Sequence, residues 1–135
     1  MYLLDTCICI DFMRGKLPSV RALMEKSDPS LFALCSIVES ELRLGAEKSA
    51  NAPKRKFETE QFISAFQILP YDSNCAKSYA LIRAGLEQAG KTIGPMDMLI
   101  AATALANNCT LVTNNGREFS RIPGLQVEAW EEIDW

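Results

Sequence analysis

Met1-Tyr-Leu-Leu-Asp5-Thr6 is the stretch that decides the fold, because a short apolar run leads straight into an acid. A run of this kind reads as a buried strand, and in a parallel sheet the residue after it stands at the strand's carboxyl end, where open α/β folds place their ligands. Four further apolar runs, at residues 31–35, 67–71, 110–113 and 125–130, alternate with longer segments of helical period. That alternation predicts an α/β fold, strands and crossover helices around a parallel sheet, built as one domain over residues 1–135.

The intervening helices have legible ends. Residues 18–26 start on a proline, and residues 53–67 carry Phe57, Phe62, Ile63 and Phe66 on a charged background. Asp72 caps a helix that runs to Gln88 or Ala89 with Gly90 as its stop. Gly94-Pro95 opens residues 96–106, which have almost no polar face and read as a core helix. There is no repeat, linker or low-complexity tract.

Composition removes several kinds of chemistry. The 135 residues contain no histidine, which excludes Ser-His-Asp and Cys-His nucleophile systems and every His-ligated zinc site. The five cysteines, Cys7, Cys9, Cys35, Cys75 and Cys109, form no C-x-x-C and fall in apolar stretches, so they read as reduced core residues. Against 14 Lys and Arg stand 17 Asp and Glu, a net charge of −3, so any nucleic-acid role requires a local basic groove. No apolar run approaches the ~20 residues of a membrane span and no signal-peptide pattern opens the chain, so a cytoplasmic protein with no membrane association is expected.

The acids then ask for explanations. Asp5 either caps a helix over residues 9–13 or faces a ligand at the sheet edge. Ser36-Ile-Val-Glu39 matches a capping box, and Glu39 stands four residues before Arg43, so structure accounts for it. Glu41 falls on a helical stripe with Ile37, Val38, Leu44 and Gly45, where a carboxylate needs a partner or a cation. Asp97 shares a stripe with Ile100, Ala101, Ala104 and Leu105, although its place in the first turn also suits the helix dipole. Thr113-Asn-Asn-Gly-Arg-Glu-Phe119 follows the fourth apolar run and contains an Asn-Gly turn signal. Parallel topology brings these positions to one edge. Two carboxylates ~4 Å apart repel by about 4 kcal/mol at an effective dielectric near 20, so the cluster calls for a cation. Oxygen ligands alone suit Mg²⁺ or Mn²⁺, and such a centre can activate water against a phosphodiester.

Taken in order, Met1–Thr6, Glu41-Leu-Arg-Leu-Gly45-Ala-Glu-Lys48, Gly94-Pro-Met-Asp97-Met-Leu-Ile-Ala101 and the segment from Leu111 through Thr113 and Asn115 to Phe119 resemble the PIN-domain ribonucleases. Within that family they resemble the virulence-associated protein C (VapC) toxins of toxin–antitoxin pairs. The resemblance implies a three-layer α/β/α sandwich with a central, mainly parallel sheet, and Mg²⁺- or Mn²⁺-dependent endoribonuclease activity on structured RNA, often initiator tRNA. It also implies a homodimer and neutralisation by a small VapB-type antitoxin. It makes Asp5 and Asp97 the main metal ligands, with Glu41 completing the cluster and positioning water, and Thr6 and Thr113 in support. Where the family often has a fourth Asp this chain has Asn115, which can still ligate through its amide oxygen; Glu118 either substitutes for that acid or is a solvated loop residue.

On the substrate side, Arg14, Arg117 and Arg121 lie nearest the acids in sequence and are the candidates for RNA phosphates, whereas Lys54-Arg55-Lys56 reads as a solvated helix start. Tyr2 and Phe12 are open between base stacking and core packing. Trp130 and Trp135 are expected to close the last sheet edge, and the Phe-rich helix over residues 53–67 offers a groove for an antitoxin helix. Aspartyl-nucleophile phosphatases want Asp-x-Asp where this chain has Asp5-Thr-Cys7, and nucleotide triphosphatases want a Gly-rich Lys-Ser loop that is missing. The alternative that survives is a catalytically weak or inactive fold of this type that binds RNA or protein without cutting.

Overall fold

Every predicted strand forms, and the computed structural model describes residues 1–131. Strands β1 (Tyr2–Leu4), β2 (Phe32–Cys35), β3 (Gln67–Leu69), β4 (Thr110–Val112) and β5 (Val127–Glu128) make one parallel sheet in the order β3-β2-β1-β4-β5. Helices α1 (Thr6–Met13), α2 (Pro18–Glu25), α3 (Ser36–Glu47), α4 (Ala52–Ile63), α5 (Ser73–Ala89), α6 (Pro95–Ala106) and α7 (Gly116–Phe119) complete the α/β/α sandwich. The central strands are buried on both faces: Leu3, Leu4, Ala33, Leu34, Leu111 and Val112 are fully inaccessible. Continuous apolar runs therefore form where alternating ones would leave a sheet face open to water. Each fully buried Leu, Ile or Phe contributes roughly 1.5–3 kcal/mol against the entropy of ordering the chain.

The chain builds β1, β2 and β3 outward in one direction, then returns to place β4 on the other side of β1. Between β1 and β4 the topology switches, and crevices at the carboxyl ends of strands open at such points. Two helices secure that return. α5 begins with the Asp72 carboxylate accepting from Cys75 N at 3.1 Å and ends at Gly90, whose φ of +67° is left-handed and favours glycine. α6 begins with Pro95 after Gly94 and buries Met98, Ile100, Ala101, Ala102 and Ala104, as a core helix should.

Several local expectations need correction. Ser36 does not cap α3: β2 runs directly into the helix, extended Cys35 takes the cap position, and the Ser36 hydroxyl accepts from Tyr71 N at 3.1 Å instead. The stripe around Glu41 is not apolar throughout, because α3 buries Val38, Leu42 and Ala46 while Leu44 is 58% exposed and Gly45 is open. After the Asn-Gly turn signal, residues 116–119 do not continue as a loop but form the short helix α7. Tyr2 and Phe12 both pack: Phe12 is buried, and Tyr2 lies 5.9 Å from the Phe32 ring and 5.4 Å from that of Trp130. Trp130 thus closes the amino end of the sheet, while Trp135 lies outside the described residues.

Candidate active site

Strand ends deliver the first two site residues. Asp5 follows β1, donates its backbone N–H to Val112 O at 2.9 Å, and begins α1 with Oδ1 accepting from Thr6 N at 2.8 Å. Thr113 follows β4 and donates its hydroxyl to Asp5 Oδ2 at 2.7 Å, with both residues buried. The capping and ligand-facing readings of Asp5 are therefore compatible: one oxygen faces the helix start and the other takes the Thr113 proton. Asn115 N donates to Thr113 Oγ1 at 3.0 Å, which fixes the hydroxyl's remaining direction.

The other acids arrive on helices. Glu41, in the second turn of α3, accepts from Thr6 Oγ1 at 2.7 Å, so the first turn of α1 holds both Asp5 and Glu41. Asp97 stands in the first turn of α6, as expected from its distance after Gly94. Asp5, Thr6, Glu41, Asp97 and Asn115 line one cleft of about 460 Å³, together with Cys7, Ile10 and Asn114. No Lys or Arg lines it among the described residues. The electrostatic consequence falls on Asp97, whose carboxyl is pushed up to about 6 by burial first and then by Asp5, Glu118 and Glu41.

Glu118 is brought toward this cluster by α7, and Asn115 Nδ2 donates to its Oε2 at 3.2 Å. The neutral Asn115 thus holds an acid that acts on Asp97, rather than standing alone at the place of a missing one. Cys7 is the site residue the sequence reading missed. It was grouped with the core cysteines, which Cys9, Cys35, Cys75 and Cys109 are, yet it is half-buried at the cleft with Sγ 3.5 Å from Asp5 Oδ2 and 3.6 Å from Thr113 Oγ1. The available signal was its place one residue after Thr6, in the turn that faces the strand end. Burial and the Asp5 charge hold its thiol above the ordinary cysteine value.

The three arginines separate. Arg14 lines a recess that adjoins the cleft through Ile10 and Glu41. Arg121 turns away to donate to Thr92 O at 3.2 Å, and exposed Arg117 does not line the cleft. Among the described residues no three Asp, Glu or Cys side chains are already drawn around one coordination point. The donors that face the cleft are nevertheless oxygens apart from one thiol, and the charge that raises Asp97 has no protein cation beside it, which is the chemistry that suits a hard divalent ion.

The PIN domain family model matches residues 2–125. The chain is 38% identical to Ribonuclease VapC2 of Rickettsia felis, over 98% of this chain and 99% of that protein. It is 37% identical to the tRNA(fMet)-specific endonuclease VapC of Shigella flexneri, over 96% and 97%. Among solved structures, the DNA-bound VapBC complex of Salmonella typhimurium superposes with a TM-score of 0.90 at 38% identity, covering 96% of this chain and 97% of that one.

Proposed function

The chain belongs to the PIN-domain family, and from that premise we propose that it is an Mg²⁺- or Mn²⁺-dependent endoribonuclease toxin, held in check by a VapB-type antitoxin. The observation that carries this reading is the convergence of Asp5, Glu41 and Asp97, from three separate elements, on one cleft without a basic residue. Asp5, Glu41 and Asp97 would hold the ion, and Glu118, oriented by Asn115, supplies the fourth negative charge. When bound there, the ion would polarise a phosphodiester and lower the pKa of water.

The protein's own contributions are orientation and charge. Thr113 keeps Asp5 Oδ2 in place from β4, and Asn115 N keeps Thr113 in place in turn. Thr6 fixes Glu41, which then faces the cleft to orient attacking water. Asp97 carries a proton below about pH 6, so occupancy of the site displaces that proton and favours the more basic side of neutrality. No histidine is required at any point.

Structured RNA is the substrate class, with initiator tRNA the first to test, since the Shigella flexneri relative is named for that RNA. On this reading the protein would act in the cytoplasm as a homodimer, which size-exclusion chromatography with light scattering checks. The antitoxin would lie along α4, a reading supported by a groove of about 530 Å³ between α2 and α4 past Met24, Phe57, Phe62 and Phe66. Phe57 is 67% exposed there, available to an amphipathic helix. The test is cleavage of a tRNA panel with Mg²⁺ or Mn²⁺: the wild type should cut, and Asp5→Ala and Asp97→Ala should lose at least ~10³-fold in rate, a typical cost of removing preorganised charge. A wild type that binds RNA and leaves it whole would select the non-catalytic alternative.

A further inference from the structure

We propose that the recess beyond Glu41 is a binding subsite for a backbone phosphate of the RNA, one position removed from the bond that is cut; this rests on the nuclease reading above. The recess, about 260 Å³, shares Ile10 and Glu41 with the acidic cleft, so a strand leaving the cleft enters it directly. Beyond Glu41 its polar lining changes sign: Arg14 from the end of α1, Arg55 and Thr59 from α4, and Ser49 from the turn between α3 and α4.

Three observations point to an anion. The Arg14 guanidinium has no ion pair among the described residues, and Arg55 has only a long contact of 3.5 Å to Glu58, with both side chains about two-fifths exposed. An exposed pair of that kind is worth little and yields readily to phosphate. Ser49 Oγ accepts from Asn51 N at 3.3 Å and keeps its proton to donate. Thr59 is the decisive residue: it is 2% exposed, and its hydroxyl is the buried side-chain polar atom that finds no hydrogen-bond partner among the described residues. A helical threonine ordinarily donates back to the preceding turn, and a buried hydroxyl left unpaired is costly. Two guanidinium groups and the Ser49 hydroxyl, joined by the Thr59 hydroxyl once rotation about Cα–Cβ turns it into the recess, match the oxygens of a phosphodiester. Glu41 keeps its charge at the wall shared with the cleft, its Oε1 accepting from Thr6, so the phosphate belongs to the part of the recess lined by Arg14, Arg55, Ser49 and Thr59.

The binding test uses full-length D97N protein, chosen so that the RNA stays whole during titration, and a fluorescent single-stranded oligoribonucleotide. Adding R14Q with R55Q should weaken binding at least tenfold and lower the slope of log Kd against log salt by about 0.7, the value for one phosphate contact on a single strand. Adding T59V should weaken binding severalfold while the melting temperature stays level or rises, because a methyl replaces an unpaired hydroxyl. A purely structural Thr59 would do the reverse. Unchanged affinity and slope in these variants overturn the subsite. Inorganic phosphate that shifts the Thr59 and Arg55 amide resonances while RNA affinity ignores the substitutions overturns it too, in favour of free phosphate. Wild-type cleavage is scored separately. If the wild type cuts and the variants bind as tightly as their parent, only the subsite fails; if the wild type never cuts yet the arginine variants lose RNA, the subsite stands and the nuclease reading fails.

Discussion

The two ends of β1 are built on opposite terms. At its amino end Tyr2 lies against Phe32 and Trp130, three rings within 5.4–6.0 Å of one another, where contact area stabilises the fold. At its carboxyl end Asp5 meets Glu41, Asp97 and Glu118, like charges gathered without a protein cation, where the same compactness works against stability. One strand therefore ties a stabilising pole to a costly one, and rigid burial of Leu3 and Leu4 between them lets the first hold the second in place.

Breaking the aromatic pole should have the largest effect. Phe32→Ala is expected to cost about 3 kcal/mol of stability, the low end for a buried Phe, while activity per folded molecule is retained; urea unfolding and cleavage assayed on the same samples check both halves. A loss of activity at full folding would mean the poles are not separable. Breaking the support of the acidic pole comes next. Thr113→Val removes the donor to Asp5 and the acceptor for Asn115 N, and should lower the cleavage rate about 10–100-fold. Restoration by Thr113→Ser would assign the loss to the hydroxyl.

The smallest effect sharpens the comparison by removing charge. Asp97 has a folded-state pKa raised to about 6, so the native protein keeps a proton that the unfolded chain has already released, and metal-free stability falls as pH rises from about 4 to 6. Asp97→Asn should erase that fall and, above pH 6, leave the metal-free protein more stable by about 1 kcal/mol, the full shift being discounted for solvent around a half-buried group. Thermal unfolding across pH measures it. Mg²⁺ should then raise the wild-type Tm more than the variant's by mass action; equal increments would mean that Asp97 is only a helix-start residue.

What could be read beforehand follows the range of the forces involved. Asp5 and Asp97 were legible because a strand end and a helix start are local events, marked by an apolar run and by Gly94-Pro95. Ser36 was misread because its hydroxyl partner, Tyr71 N, comes from beyond β3, and no local pattern reports that competition. Cys7 was misread for a related reason: its neighbours in sequence are apolar, while its neighbours in space are Asp5 and Thr113. Arg55 looked like part of a solvated basic run, and only the packing of α4 beside α3 places it with Thr59 and Arg14. Asn115 looked like a deficiency until Glu118 was found bonded to it.

The bond from Thr113 to Asp5 spans 108 positions, and it joins a residue made early to one made later. Translation delivers Asp5, Glu41 and Asp97 well before the strand that steadies the first of them. A ribosome-bound intermediate shorter than residue 113 has no β4 beside β1, so its Asp5 lacks the Thr113 donor. The acidic pole is therefore complete only once β4 has been made, 108 residues after Asp5, so the order of synthesis separates the making of the acids from their fixing.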